Sequence, residues 1–578
     1  MKTLDLSAVR TAALAILLAL LPIAVNAQTT PPPPTVSWTQ YGVSPTGSMD
    51  TGDDSADALN GLPADVGLIG DCPANQPYIR ITKPWKLKNN LTIYVKKPNP
   101  EEPHPGCRVV CDWPTGGQSE GCITQQTFSN ALADTLHDIY IDGLYVFNKN
   151  QTTFKGKALK FAANHLTMTN VTADGFHAFA YVRGGDQEWS GAFINSPSRG
   201  DINNPGDGFR HLGNMMNPAG TTGGKPANVW VHDFTTTGQS DGALQVAPSC
   251  VLYPPPNGTP KPWNNDSAND YLYENSNLVG DPGSMILVGY PGGVDESGGA
   301  GVKCTNSHIT NIVVRNITGS STGTAVIVYA AGQSLSPTQC VSCSIEGVTI
   351  ENVTIDQSNR PPFTPPGMPT PPGTPGVAFS VRGADLTPIS DVTLRNISVT
   401  NTADTCFDVS GLPMSGIVLD QIVCDSPRYA GTPNATIRAT TGVTIKNSTI
   451  GSKGAAALEI GPRKNLGGGQ MRRVNGGDYN VQNVVLDNNH FTGVTDGQSG
   501  VLFRNSANGS MTNSTVTEAA GQTDTTGVRF FSSVANGNPG AWYNTVTGND
   551  LTGVDTGVYC APSQGNVVTG NTGNIPPC

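Results

Sequence analysis

Charge is scarce in this 578-residue chain: Asp, Glu, Lys and Arg make up 13% of it, about half the roughly 25% of ordinary globular proteins. Beyond the N-terminus no apolar run is long enough to cross a bilayer as a helix, which excludes a polytopic helical membrane protein. Basic residues are in the minority, 33 Lys and Arg against 44 Asp and Glu for a net charge of −11. That balance excludes the basic footprint of a nucleic-acid binder. Helical periodicity of any length is missing, which excludes helical bundles. Apolar residues are few for a compact core, at 37%, yet Val, Ile, Leu and Phe recur throughout, so the chain is not disordered. The 12 Cys form an even set in a chain far too long for a disulfide-stapled miniprotein.

The first 27 residues have the form of a secretory signal: Lys2 and Arg10, an apolar run from Thr11 to Ala24, and a small-residue cleavage site at Val25-Asn26-Ala27. Residues 28–35, with four consecutive prolines, read as an extended leader. Export predicts a secreted protein, extracellular or periplasmic, with no membrane contact after cleavage, and makes disulfides plausible. The spacings Cys107/Cys111/Cys122, Cys340/Cys343, Cys406/Cys424 and Cys560/Cys578 suggest local staples, with the pairing open. Zinc is a poor alternative, because Cys107 and Cys111 lack a matching pair at a metal-ligand spacing.

What the chain does have is glycine, 68 residues of it, and a repeat. The pattern apolar-x-apolar-x-Asn occurs at Leu166–Asn170, Tyr271–Asn275, Ile312–Asn316, Val348–Asn352, Val392–Asn396, Val443–Asn447 and Val484–Asn488, with close variants at Val229–Asp233 and Ile417–Gln421. Two apolar residues at period 2 point inward, and the Asn sits at a bend where its amide can bond the Asn of the next turn. A second short β-rich segment follows most copies, as at Phe176–Val182, Gly242–Val246 and Met285–Val288. A coil of strand, bend, strand and loop buries its apolar face only by stacking on another. The reading is all-β: a single-stranded right-handed parallel β-helix over residues 36–578, with 36–80 as a short N-terminal cap. The corner Asn residues are expected to be internal, so that their Asn-x-Ser/Thr matches carry no glycan. Two insertions, Val251–Asn265 and the proline-rich Asn359–Gly376, are expected to project from the solenoid.

Adjacent coils bring side chains to ~4.8 Å of each other, so chemistry needs ionisable residues that recur coil by coil. Asp174-Gly175, Asp207-Gly208 and Asp241-Gly242 each precede a second strand, at spacings of 33 and 34 residues, and Asp281 takes the same place in the next coil. For Asp174 and Asp281 ordinary turn chemistry explains the pattern. Asp207 and Asp241 are the candidate catalytic pair. Strand parity sets Gly242, Leu244 and Val246 inward and Asp241 and Gln245 toward solvent. If Phe209 and His211 point inward, Arg210 points outward beside Asp207. Arg210, Gln245, His211, Asp174 and Asp281 are therefore the candidate substrate-binding residues. Two carboxylates on neighbouring coils raise one of the two pKa values, which supplies the acid and the base of glycosidic hydrolysis.

The segment Trp38-Thr-Gln-Tyr41-Gly42-Val43, followed by Gly47 and Asp53-Asp54-Ser55-Ala56, resembles the N-terminal motif of the pectinase (polygalacturonase-like) superfamily of β-helix carbohydrate-active enzymes. Asn204-Pro-Gly-Asp207-Gly208 resembles that family's Asn-Thr-Asp-Gly motif, and Ser240-Asp241-Gly242 its Asp-Asp motif with one carboxylate replaced. Where the family has Gly-His-Gly this chain has Asp281-Pro-Gly283, and Thr324–Tyr329 stands in place of its Arg-x-Lys. The resemblance implies an inverting glycoside hydrolase that uses Asp207 and Asp241, acts as a monomer on a polysaccharide and needs no cofactor or metal. The alternatives are a polysaccharide lyase and a non-catalytic β-helix adhesin or carbohydrate-binding protein. In the lyase, Asp174, Asp207, Asp241 and Asp281 would hold Ca²⁺ against a uronate polymer, with Arg210 or Lys225 as the base.

Overall fold

A computed structural model describes residues 31–96, 106–113, 120–125, 135–197, 206–213, 228–238, 242–248, 267–280, 283–289, 304–330, 340–359, 377–383, 387–411, 413–428, 431–438, 440–461, 481–504, 506–531, 541–560 and 565–577. Strands join their neighbours in parallel through this stack, each pairing with the equivalent strand of the coil before and the coil after. The fold is a right-handed parallel β-helix with three faces.

Sheet A carries the repeat: Leu166–Met168, Gln187–Trp189, Val229–Val231, Tyr271–Tyr273, Ile312–Val314, Val348–Ile350 and Val392–Leu394 lie in register, coil on coil, the second without the motif. The chain then turns at the Asn and runs through sheet B, as in Thr318–Ser320 over Thr354–Asp356. Sheet C follows, with Phe209–His211, Leu244–Val246, Ile286–Val288, Val326–Val328 and Phe379–Val381 stacked in turn. The inward residues of all three faces merge into one continuous apolar core from Trp38 to Val558. A strand at Pro34–Ser37 and a short helix, Ala56–Gly61, stand at the N-terminal end, and the strand already pairs in parallel with Gly67–Ile69.

The A–B corner explains the repeat. Asn170, Asn275, Asn316, Asn352, Asn396, Asn447 and Asn488 all have φ between 51° and 56°, a left-handed geometry that Asn tolerates better than other residues with a side chain. Asn316 donates to Asn275 (3.1 Å), Asn352 to Asn316 (3.1 Å) and Asn396 to Asn352 (2.8 Å). The expectation that these residues are internal is corrected: they are exposed. The left-handed residue turns its side chain to the outside of the corner, and the ladder runs along the surface. A second, buried ladder lies beneath its C-terminal part, where the Ser448 amide donates to Asn489, the Asn489 amide to Ser514 and the Ser514 amide to Asn549.

One position before the corner, sheet A carries a second ladder. His232, Glu274, Arg315, Glu351, Arg395, Asp420, Lys446 and Asp487 are opposite one another in successive coils, so acid alternates with base. Arg315 pairs with Glu274 at 2.7 Å, Lys446 with Asp420 at 3.5 Å, and Arg395 with Glu351. Each exposed pair contributes little, ~0.2–1 kcal/mol, but a one-coil slip would set like charges together.

Disulfides join Cys72–Cys107, Cys111–Cys122 and Cys406–Cys424, and Cys343 and Cys560 are also disulfide-bonded. Pairing of Cys107 with Cys72 rather than within the Cys107/Cys111/Cys122 group follows from stacking. Residues 35 apart in sequence come to a Cα separation of 5.4 Å. Asn352→Ala loses both ladder bonds and places an alanine in the left-handed region. It should cost about 2–3 kcal/mol in denaturant unfolding. Asn352→Gly, which keeps the backbone freedom, should cost less.

Candidate active site

Sheet C differs from the other two faces. Its strands Gly242–Val246 and Ser284–Gly289 are buried at every position, whereas sheet A strands alternate between buried and accessible residues. Long segments outside the described residues, 198–205, 214–227, 249–266 and 290–303, connect to sheet C strands at one end or the other. The A–B corner, by contrast, is closed by single Asn residues.

On the outer side of sheet C the register places Lys160, Tyr181, Arg210 and Gln245 opposite one another in consecutive coils. Phe209 and Val246 point into the core, and His211 with them. Arg210 is thus outward, beside Asp207, as parity suggested. The Tyr181 hydroxyl donates to Asp207, and so does Gln245 Nε2. Arg210 Nη1 lies 3.3 Å from Asp207 Oδ2 and 3.4 Å from the Tyr181 oxygen. Lys157 Nζ sits over the Tyr181 ring, 4.0 Å from its centroid, and the Arg210 guanidinium is 5.2 Å from the same centroid. One phenol, one carboxylate, one amide and two cations therefore converge across four coils.

Burial orders these groups by depth. Asp207 is 2% exposed and Gln245 fully buried, so neither faces open solvent; this corrects the expected open groove at both residues. Gln245 does point outward, but outward is not the same as wet where the outer side of the sheet is covered. Its amide folds back to its own strand, donating to the Gly242 carbonyl at 3.1 Å. Ala243, which strand parity would set outward with Gln245, belongs to the core. Tyr181 and the Arg210 side chain, which is 16% exposed, form the accessible rim in front of Asp207. Among the described residues Gln245 Oε1, buried beside the carboxylate, has no hydrogen-bond partner.

Asp174 and Asp207 do not belong to one column. Asp174 ends a sheet B strand, opposite Phe147 and Ile194. Its carboxylate is 8% exposed and accepts from the Tyr145 hydroxyl (2.5 Å) and from Asn195 (2.9 Å). Asp207 instead opens a sheet C strand. The Asp-Gly pairs are offset as well: Phe209 is opposite Leu244, which puts Asp207 opposite Gly242 rather than Asp241. Asp241, Asp281 and Lys225 lie outside the described residues, as do the loops 251–265 and 360–376. Among the described residues no three of His, Cys, Asp or Glu converge to hold a metal ion.

His211 is a core residue rather than a substrate contact. Its Nδ1 accepts from the Gly213 amide (3.3 Å) and lies 2.5 Å from the Tyr271 hydroxyl. Complete burial, with Arg183 nearby, lowers its pKa to about 3. The folded protein thus keeps His211 neutral where the unfolded chain would protonate it. Its contribution to stability is full above the unfolded pKa of ~6.5 and is lost progressively as pH falls toward 3. Unfolding at pH 5 should show a loss on the order of 2 kcal/mol relative to pH 7 from this residue, and His211→Asn should flatten that part of the profile.

Tyr181 and Lys157 were not candidates from the sequence. Aligning strands on their inward residues, Ala180, Phe209 and Leu244, brings Tyr181 next to Arg210; aligning them on Asp-Gly pairs does not.

No family model matches the chain, and no curated protein matches it in sequence. Solved structures do resemble it. The A-module of the Azotobacter vinelandii mannuronan C-5 epimerase AlgE6 is 12% identical, covering 94% of this chain and 100% of that one at a TM-score of 0.31. Tailspike protein 3 of bacteriophage CBA120 is 10% identical, covering 93% and 61%, with a TM-score of 0.33. The catalytic unit of the GH87 α-1,3-glucanase from Streptomyces thermodiastaticus is 14% identical, covering 93% and 71%, with a TM-score of 0.27. At such scores the functional reading rests on the side chains of this chain itself.

Proposed function

We propose that this chain is a secreted enzyme that cleaves a uronate-containing polysaccharide at the outer side of sheet C, by β-elimination with Tyr181 as the group that meets the sugar. The observation that carries this is the order of burial: the phenol is at the rim, with Asp207 bonded behind it and Arg210 and Lys157 against it. In a lyase the base removes the proton on the carbon next to the uronate carboxylate. Those electrons form the ring double bond, and the bond to the leaving glycosidic oxygen breaks, that oxygen taking up a proton. Here Tyr181 hands its own proton to Asp207 and takes the sugar's; it then gives a proton to the leaving oxygen and recovers one from Asp207, so that both groups return to their starting state. Arg210 faces the negative charge that develops on the uronate, a stabilisation that is strong in a site shielded from water. Gln245 holds Asp207 in place, and no metal is needed for any of these steps.

A hydrolytic reading has its own support. In this reading Asp241, which precedes Gly242 in sequence, would serve with Asp207 as the second carboxylate that a glycoside hydrolase of this type requires. Products separate the two. On a panel of polygalacturonate, alginate and neutral glucans, elimination yields unsaturated ends that absorb in the ultraviolet along with each new reducing end, and hydrolysis yields reducing ends alone. The lyase reading expects unsaturated ends that persist in EDTA. Tyr181→Phe and Asp207→Asn should each reduce turnover by about 10²–10⁴-fold with the melting temperature within a few degrees of the parent's. Reducing ends without absorbance, lost in Asp241→Asn, would establish the hydrolase instead. Full activity in both Tyr181→Phe and Asp207→Asn would remove the site.

A further inference from the structure

The outer side of sheet C continues for many coils beyond Gln245, and its C-terminal half has a composition unlike the rest of the chain. Arg382 is opposite Ser410 and Ser410 opposite Arg438. Gly461 and Arg504 continue the same column, since Ile460 is opposite Phe503, and Phe531 follows because Phe503 is opposite Phe530. Arginine thus recurs at every second coil, at Arg382, Arg438 and Arg504, ~10 Å apart along the axis. In the neighbouring outward column Arg529 is opposite Tyr559.

Two buried carboxylates anchor the row. Asp408 accepts from Arg438 at 2.7 Å with Arg382 3.8 Å away, and Glu459 accepts from Arg504 at 2.7 Å. Among the described residues of this stripe, four arginines therefore stand with two carboxylates, an excess of positive charge on a protein of net charge −11. The three arginines of the row keep side-chain exposures of 19–23%. At the far end the aromatic rings are open: Phe531 is 36% and Tyr559 50% exposed. Each carries an arginine, Arg504 at 4.5 Å from the Phe531 centroid and Arg529 at 5.2 Å from that of Tyr559. Arg529 Nε has no hydrogen-bond partner.

We infer that this stripe is a binding track for an extended anionic polysaccharide, separate from the Tyr181 site and beginning four coils, ~19 Å, beyond Arg210. The inference rests on the reading of the chain as acting on a polysaccharide and adds where the polymer is gripped and why it must be acidic. A pyranose in a 1,4-linked chain is about as long as one coil is tall, so a polymer laid along the axis presents a carboxylate to each arginine of the row at every second sugar. The exposed rings offer faces for the sugars at the end of the track.

The test uses the whole mature chain with long polygalacturonate, a short galacturonate oligomer and dextran. Binding measured by calorimetry should be at least tenfold tighter for the long polymer than for the short oligomer, weaker with added salt, and absent for dextran. The variant Arg529→Gln/Phe531→Ala/Tyr559→Ala strands no buried acid and should lower long-polymer affinity about tenfold, with kcat and KM on the short oligomer unchanged. Arg382→Gln, which leaves Arg438 on Asp408, should lower it in the same direction. Unchanged polymer affinity in both variants, or equal binding of dextran, would overturn the track. Tyr181→Phe separates the two readings: it should end turnover and leave polymer affinity intact. Arg529-dependent binding in a protein that cleaves nothing would leave the track standing and remove the enzyme.

Discussion

A coil of this solenoid is incomplete by itself. Its apolar edge and its backbone donors and acceptors are satisfied only when the next coil lands on it in register, and everything else in the structure follows from that requirement. Each outward position becomes a column with a ~4.8 Å repeat, so the chain is selected for what can sit on a copy of its neighbour. Asn on Asn succeeds because an amide both donates and accepts, as Asn352 does between Asn316 and Asn396. Charge succeeds only by alternation, as from His232 to Asp487 in sheet A. Low overall charge is a consequence of the same constraint, since a like pair is repeated wherever a column fails to alternate.

The three faces divide the labour. The A–B corner is closed by single left-handed residues and leaves no room for loops. Sheet C receives the long connections, and its outer side holds the most deeply buried carboxylates among the described residues. Asp207, Gln245, Asp408 and Glu459 are each nearly inaccessible and each has a cation or amide donor against it. Buried ionisable groups are costly unless partnered. Their repeated appearance on one face, with partners, marks that face as the one where polar chemistry is held in place.

The Tyr181 constellation shows how a column makes a site. Lys157, Tyr181, Asp207, Arg210 and Gln245 come from four coils and span nearly ninety positions of sequence, yet each lies within a few ångström of the next. Stacking supplies both proximity and rigidity, because each strand is hydrogen-bonded on both sides. A buried carboxylate behind such a rim reaches the surface only through the residue in front of it, which is the arrangement of Asp207 behind Tyr181.

The parallel β-helix was legible because it is a one-dimensional pattern. Apolar residues at period 2 followed by Asn are local, and their recurrence announces stacking. The inward setting of Phe209 and His211, and hence Arg210 beside Asp207, was legible for the same reason. Register was not. It depends on how many residues each bend absorbs, and the Asp-Gly pairs at Asp174 and Asp207, 33 residues apart, proved to occupy different corners, one on sheet B and the other on sheet C. Burial was not legible either. Parity decides which side of a sheet a side chain takes, but whether that side is wet depends on what the rest of the chain lays over it, as Gln245 shows. The sequence alone determined the repeat, the positions of the corner residues and the inward setting of the apolar residues at period 2, because these are set by neighbours within a few residues. Tertiary structure decided that Tyr181 meets Asp207 and that arginines line one face, because both depend on the alignment of coils far apart in sequence.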